Sequence, residues 1–500
     1  MQIGEKIGQM KSEFYGRQAE LEVLDGLWAS SKEEFLILYG RRRVGKTALL
    51  AEWIRRTGNR ALYWVASPTS ASAQLRSFSH AVYNFENPGA ASPENFTYAS
   101  WEQALQEVAR LAKNNRLALF IDEFTYLLEV NQGIAGVFQN LWDHVFKTTN
   151  IFLCLSGSHL GMMKQEFFSY QAPLYGRASA QIHLRPFFFG ATRSFFPKYS
   201  AVDRVALYAV FGGVPAYWER LDQAKSISQN IKLHLLTSNN LMQSEPRLLL
   251  QDFITDPHNY IAILGAIANG AHATKEIAAV SGLQNVHVPK YLGVLTETGF
   301  VERRVPVTEA GLSRAGRYHI TDPYLRFYFR FLADRQDQLA LGGQDIALAE
   351  INRHMIDFIG KYTWEELCRE WTLRAGVLGV LPMMPDQVGS AWNAKVQVDV
   401  VGINTMEKTL ILGECKWTLS ENERKVMAEL VEEKAAKIIP AQGKWKVYFL
   451  GFSRSGWTSG ALAYQEEITH HPVQGENWVS TGMRLVNLDE LDDNLALWIK

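Results

Sequence analysis

Leu36-Ile37-Leu38-Tyr39-Gly40-Arg41-Arg42-Arg43-Val44-Gly45-Lys46-Thr47 decides the reading of this chain. An apolar strand runs into GRRRVGKT and then into a helix-forming run, Ala48-Leu49-Leu50-Ala51-Glu52-Trp53. The spacing is G-x-x-x-x-G-K-[ST], in the strand–loop–helix setting that a phosphate-binding loop requires. The glycines let the backbone N–H groups from Gly40 through Arg41, Arg42, Arg43, Val44 and Gly45 to Ala48 close around phosphate oxygens. A helix N-terminus adds a favourable dipole. Lys46 is expected to reach the β- and γ-phosphates and Thr47 to hold a metal ion. The expected ligands are ATP and Mg²⁺.

A second segment turns binding into hydrolysis. Leu117-Ala118-Leu119-Phe120-Ile121 is a continuous apolar run, as a buried parallel strand should be, and it ends in Asp122-Glu123. Asp122 is expected to hold Mg²⁺ through water, and Glu123 to polarise the attacking water. A third apolar strand, Ile151-Phe152-Leu153-Cys154-Leu155, ends in Ser156-Gly157-Ser158. The Ser158 hydroxyl is placed to sense the γ-phosphate or to cap the next helix.

Composition narrows the class. The 500 residues suit two to four domains. A net charge of −1 gives no global field that draws the chain onto nucleic acid, so any DNA contact must be a local patch. Cys154, Cys368 and Cys415 fit neither a zinc spacing nor a disulfide framework, which points to a reducing cytoplasm. The N-terminus lacks the apolar core of a signal peptide, and no apolar run approaches about 18 residues, so no membrane span is expected.

Residues 1–190 alternate strands and helices, the pattern of a parallel sheet covered on both faces. Gly16-Arg17 opens an amphipathic helix with Leu21, Leu24 and Leu27 on one face, and Ala61–Ala66 reads as a strand. Residues 69–100, rich in Ser, Ala, Asn and Pro, read as an irregular insertion. Residues 191–257 are mainly helical, with Phe211-Gly212-Gly213-Val214-Pro215 between two helices. Residues 258–335 read as a winged helix: helices around Ile261, Thr274 and Val288, then a β-wing from Gly299. The third helix carries few cations, chiefly His287 and Lys290. Arg303, Arg304, Arg314 and Arg317, on or near the wing, are better candidates for DNA phosphates.

With these pieces placed, the chain resembles the archaeal-type ATPases, a P-loop family close to the AAA+ and STAND ATPases. FYGRQAEL is similar to the family's opening Gly-Arg box, which implies that Arg17 lies near the adenine. GRRRVGKT and FIDEF resemble its Walker A and B segments. Gly212-Gly213-Val214-Pro215 resembles the GGxP turn of its helical lid, implying a nucleotide-side role for Pro215. Pro173-Leu174-Tyr175-Gly176-Arg177 is similar to its PLYGR segment. The resemblance implies that Arg177 reaches a neighbour's nucleotide in a homo-oligomer, where a guanidinium stabilises charge on the transferring phosphoryl group. The alternative reading is a surface salt bridge or a contact within its own subunit.

Residues 350–500 hold a second constellation. Gln397–Ile403 and Thr409–Trp417 read as strands of a hairpin, which places Asp399 beside Glu414-x-Lys416. Two carboxylates on adjacent strands suit a divalent metal. Lys416 shares the face of Glu414 because side chains two apart on a strand point the same way. The arrangement resembles the PD-(D/E)XK nucleases, with Glu365 on a preceding helix as the carboxylate that often completes the site. Glu423/Lys425 and Glu432/Lys434 repeat the Glu-x-Lys spacing but read as one solvated helix.

The expected fold class is therefore α/β. A P-loop ATPase core (1–190) and a helical lid (191–257) come first, then a winged helix (258–335) and a restriction-endonuclease-like domain (350–500). The expected function is ATP hydrolysis whose nucleotide state controls a DNA-directed nuclease-like domain. The alternatives are a STAND-like switch whose inactive C-terminal domain binds a protein partner, and a remodelling ring assembled through Arg177.

Overall fold

Strands β1 (Glu34–Tyr39), β2 (Ala61–Val65), β3 (Leu117–Asp122), β4 (Ile151–Gly157) and β5 (Ala180–His183) form one sheet in the order β2-β3-β4-β1-β5. All four pairings are parallel. Every residue of β3 and β4 is buried, which is why they read as unbroken apolar runs rather than as alternation. The computed structural model describes residues 14–237, 240–251, 254, 256–309 and 315–498. Arg314, one of the wing arginines, lies outside the described residues.

The chain divides into two compact units. The first runs to Pro186 and takes in Val214–Ala216; the second holds Phe187–Gly213 and the chain from Tyr217 onward. In the first unit, helix Gln18–Ala29 buries Leu21 and Leu24. Helix Trp101–Ala112 buries Ala104, Leu105 and Val108 on one face. Trp64, Phe78 and Trp101 meet edge to face or tilted, with ring centroids 5.2–5.8 Å apart.

The irregular insertion expected over 69–100 is replaced in part by a 16-residue helix, Ala71–Glu86. Its Ser70 side chain accepts from the Ala73 N–H, and Gln74, Phe78 and Val82 are buried along one face. Small residues masked an i, i+4, i+8 stripe that the sheet covers.

The second unit begins with helices. Ala201–Phe211 ends at Gly212, whose φ of 60° makes the left-handed turn a side chain would resist. Arg204 pairs with buried Asp492, Nε to Oδ1 at 3.0 Å, tying this helix to Leu488–Leu497 near the chain's end. Helices His258–Ala268, Thr274–Ser281 and Val288–Glu297 lead to a two-stranded antiparallel sheet, β6 (Val301–Arg304) and β7 (Arg317–Ile320).

A mixed five-stranded sheet follows: β8 (Gln387–Trp392), β9 (Gln397–Asn404), β10 (Thr409–Lys416), β11 (Trp445–Ser453) and β12 (Trp478–Asn487), in the order β12-β11-β10-β9-β8. β9 and β10 form the expected antiparallel hairpin, while β10, β11 and β12 run parallel. The β9–β10 ladder runs from Thr409 opposite Asn404 to Gly413 opposite Val400. The next step out faces Asp399 toward Glu414.

Candidate functional site

The first site lies at the C-terminal ends of β1, β3 and β4. Gly40 follows β1 where a Cβ would overlap the Leu184 carbonyl oxygen, so no side chain fits. Arg43 (φ 68°) and Gly45 (φ 97°) are left-handed, the alternation that shapes backbone into an anion-binding concavity. Helix Lys46–Thr57 starts directly after Gly45. The buried Lys46 ammonium donates to the carbonyls of Gly40 (2.9 Å) and Arg41 (3.2 Å), folding over the loop. Val44 is buried, and Arg42 Nη2 donates to the Tyr126 hydroxyl at 3.0 Å.

Asp122 is the hub. Its Oδ2 accepts from Thr47 Oγ1 (2.6 Å) and from the Tyr63 hydroxyl (2.7 Å). Its Oδ1 accepts from Ser156 Oγ (2.7 Å) and the Glu123 N–H (3.0 Å). Burial, then the charge of Asp122, pushes the Tyr63 phenol far above its ordinary value, so it stays a donor. The hydroxyl and carboxylate oxygens of Thr47 and Asp122 are the hard ligands a Mg²⁺ ion takes, so this donor set fits one.

Glu123 sits in the left-handed region (φ 52°), strained for a residue with a Cβ, and starts helix Phe124–Val130. Its Oε2 accepts from Ser158 Oγ at 2.7 Å. The two serines after β4 thus divide: Ser156 holds Asp122 and Ser158 holds Glu123. Ala48 lies in the first turn of helix Lys46–Thr57.

Arg17, also left-handed, donates from Nη2 to the carbonyls of Val44 (3.2 Å) and Arg185 (2.6 Å), bracing the loop from behind. Pro215 approaches the loop at Gly45: a Cβ built there would meet Pro215 Cγ at 3.8 Å.

Arg177 is committed elsewhere. Its Nε and Nη2 hold the Asp143 carboxylate at 3.1 and 2.7 Å, and Nη1 donates to the Pro173 carbonyl at 2.7 Å. Within one protomer these contacts make a salt bridge inside the subunit.

The second unit carries a cavity of about 380 Å³ lined by Asp399, Glu414, Lys416 and Lys434, with Lys395 and Glu429 among its rim. Asp399 Oδ2 accepts from the Cys415 N–H at 3.1 Å. Glu414 is 3% exposed, and its two oxygens accept separately from Lys416 (3.1 Å) and Lys434 (2.9 Å). Burial and then the Asp399 charge raise the Glu414 carboxyl above its ordinary value. Burial pulls both lysines down, but the surrounding carboxylates together, Glu414 first and then Asp399 for Lys416 and Glu429 for Lys434, outweigh it and hold both above the usual lysine value.

Glu365 stands next to this cavity, not among the residues that line it. It is pushed up to about 7 by burial and then by Asp399. Arg369 donates to it at 3.2 Å and to the Asp399 carbonyl at 3.0 Å. Among the described residues no three His, Cys, Asp or Glu side chains gather to hold a metal. Two oxygen-bearing carboxylates across a hairpin still fit a hard cation that keeps several waters.

Lys434 corrects the sequence reading, which left it on a solvated helix. The stretch Glu429–Lys434 is a π-helix between Arg424–Ala428 and Ala435–Ile438. The wider turn breaks the α-helical period and leaves Lys434 17% exposed, against Glu414. No period-3.6 reading could have placed it there.

Two of the wing arginines, Arg304 and Arg317, are also spent inside the chain. Arg304 and Arg326 each reach Glu366 Oε1 at 2.7 Å. Burial raises the Glu366 carboxyl, yet the two guanidinium groups outweigh it and bring it to about 2. Arg317 donates to Gln397 at 3.0 Å and lies 4.5 Å from the centre of the Trp392 ring. Arg304 and Arg317 therefore fasten β6 and β7 to the C-terminal part of their own unit rather than standing ready for phosphates. Arg303, His287 and Lys290 are exposed. Among the described residues no helix is long and apolar enough to cross a membrane.

Comparison with known proteins gives two family matches. Residues 14–221 match an ATPase domain found predominantly in Archaea, and residues 328–427 match archaeal and bacterial proteins of unknown function. An uncharacterized protein of Methanocaldococcus jannaschii is 28% identical over 406 residues, 81% of this chain and 87% of its own. An uncharacterized ATP-binding protein of the same organism is 49% identical over 41 residues, 8% of this chain and 70% of its own. Among solved structures, a Walker-type ATPase of Pyrococcus abyssi is similar at a TM-score of 0.47 and 18% identity, over 64% of this chain and 97% of that one.

Proposed function

We propose that this chain, which carries an archaeal-type ATPase domain, hydrolyses ATP with Mg²⁺ at the loop 40–47, and that its nucleotide state controls a DNA-directed, nuclease-like C-terminal domain. The observation that carries the hydrolytic half is one set of linked hydrogen bonds at the sheet edge: Thr47 Oγ1 and the Glu123 N–H both donate to Asp122, and Ser158 Oγ donates to Glu123. It puts a metal-holding pair and a fixed carboxylate beside a phosphate-binding loop.

The residues divide the work. Lys46 leaves its loop carbonyls for the β- and γ-phosphate oxygens. Thr47 and, through water, Asp122 would hold the Mg²⁺, with Asp122 kept oriented by its hydrogen bonds from Tyr63 and Ser156. Glu123 takes the proton of the attacking water, with Ser158 fixing its direction. Mg²⁺ supplies charge neutralisation on the phosphates. Pro215 and Arg17 shape the two flanks of the loop.

For the C-terminal domain the reading is a PD-(D/E)XK-like site. Asp399 and Glu414 bind a divalent cation, and Lys416 orients the water or phosphate. Helices 191–257 act as a lid, 258–335 as a winged helix and 350–500 as the nuclease-like domain. DNA contact through that winged helix would draw on the exposed side chains Arg303, Lys290 and His287.

A second reading is favoured by Arg177, held by Asp143 in its own subunit. It is a STAND-like switch that keeps its nucleotide and signals to a protein partner. An ATPase and plasmid-nicking assay on the full chain, with and without DNA, beside Lys416→Ala, separates the two. DNA-stimulated turnover with nicking that Lys416→Ala abolishes supports the first. A stable ADP-bound monomer indifferent to DNA supports the second.

A further inference from the structure

Glu414 is an unusual metal ligand because both of its oxygens are already taken by ammonium groups. Lys416 comes from the same strand, two residues on, and takes Oε2 at 3.1 Å; Lys434 comes from the π-helix across the cavity and takes Oε1 at 2.9 Å. The Glu-x-Lys pattern accounts for Lys416 alone. Lys434 has one other carboxylate within reach, Glu429 at 3.4 Å, which is 46% exposed and so a weak partner. Glu414, at 3% exposure, is the partner that holds it.

The charges can be followed through metal entry. Asp399 and Glu414 against Lys416 and Lys434 sum to zero. At the rim, Glu429 and Glu433 offset Lys395 and Lys437. A divalent cation on the Asp399 and Glu414 oxygens leaves a surplus of two positive charges in a space of about 380 Å³. It also repels the ammonium it displaces from Glu414 Oε1. A freed lysine in a largely polar cavity finds its best new partner in an anion.

We propose that Lys434 is a phosphate-binding residue of this cavity, stored against Glu414 and released to a phosphate group when a divalent cation takes the Asp399 and Glu414 oxygens. The proposal rests on the metal-site reading of the C-terminal domain. It makes Lys434 and Lys416 two jaws on opposite sides of one phosphate, and it makes metal and phosphate binding mutually dependent. The phosphate belongs either to a DNA phosphodiester or to a free anion.

The test uses the full chain as wild type, Lys434→Gln, Lys434→Arg and Asp399→Ala, each checked for an unchanged melting temperature. Mn²⁺ affinity is read from the free-ion electron paramagnetic resonance signal. Affinity for a fluorescent duplex oligonucleotide, and separately for inorganic phosphate, is measured with and without Ca²⁺. Lys434→Gln should bind Mn²⁺ at least as tightly as wild type and lose about tenfold in Ca²⁺-dependent phosphate affinity. Lys434→Arg should restore it. Loss in the oligonucleotide arm assigns the phosphodiester; loss confined to inorganic phosphate assigns the free anion. Equal phosphate affinities for wild type and Lys434→Gln, with Mn²⁺ still bound, overturn the proposal alone. Mn²⁺ binding that is absent in wild type, or indifferent to Asp399→Ala, overturns the metal-site reading beneath it.

Discussion

Two carboxylates at strand ends, Asp122 and Glu414, are held in opposite ways. Asp122 accepts from three hydroxyls and one backbone N–H, all neutral. Glu414 accepts from two ammonium groups. The first carboxylate has only neutral donors around it, so a cation binding there would compete with hydroxyl contacts alone. The second has an ammonium group on each oxygen, so a cation binding there would have to displace a lysine. The difference teaches that similar donor types do not make similar sites. On the readings proposed above, the first would serve a metal beside phosphate, whereas the second would couple metal entry to the release of positive charge.

The largest expected effect lies on the first side of this comparison. Lys46→Ala should weaken ATP binding by about 100-fold or more, because a buried charge-assisted contact to phosphate is lost. Equilibrium binding of a fluorescent ATP analogue measures it, and near-normal affinity would remove the loop from its role.

On the second side, Asp399→Ala and Lys416→Ala should each lower metal-dependent nicking by about 100-fold while the ATPase rate stays within about twofold. A matching fall in ATPase rate would show that the sites share residues. A smaller effect is expected from Ser158→Ala: kcat down by about tenfold with ATP affinity unchanged, since the hydroxyl only directs Glu123. Lost affinity instead would make Ser158 a direct phosphate contact.

Arg177→Ala carries the smallest expected effect on folding. Its partly exposed pair with Asp143 contributes up to about 1 kcal/mol, to be read from urea unfolding. The same variant decides the trans role. ATPase activity per chain that rises with concentration in wild type, and not in Arg177→Ala, would show the arginine leaving Asp143 for a neighbour. Concentration-independent activity confines it to its own subunit.

Much of the first site was legible because its chemistry is local. Gly40, Gly45, Lys46 and Thr47 fall within one eight-residue stretch, and the apolar run before Asp122 marks a doubly covered strand. The β9–β10 hairpin was legible too, since its short turn and the apolar run before Glu414 set the register that brings Asp399 toward Glu414. What escaped reading depends on distant packing. Tyr63 reaches Asp122 only because β2 lies beside β3. Lys434 reaches Glu414 only because a π-turn shifts its helix face. Arg304 and Arg317 looked like phosphate contacts because sequence does not reveal that Glu366 and Gln397 fold against them.

The most direct test of the account is Glu123→Gln, measured for nucleotide affinity and steady-state ATP hydrolysis on the same preparation. The substitution keeps the size of the side chain and an oxygen for Ser158 while removing the base that takes the water's proton. The account predicts ATP affinity within about threefold of wild type and a turnover lower by about 100- to 10,000-fold. Unchanged hydrolysis with unchanged affinity would contradict it and leave Glu123 no more than the strained first residue of a helix.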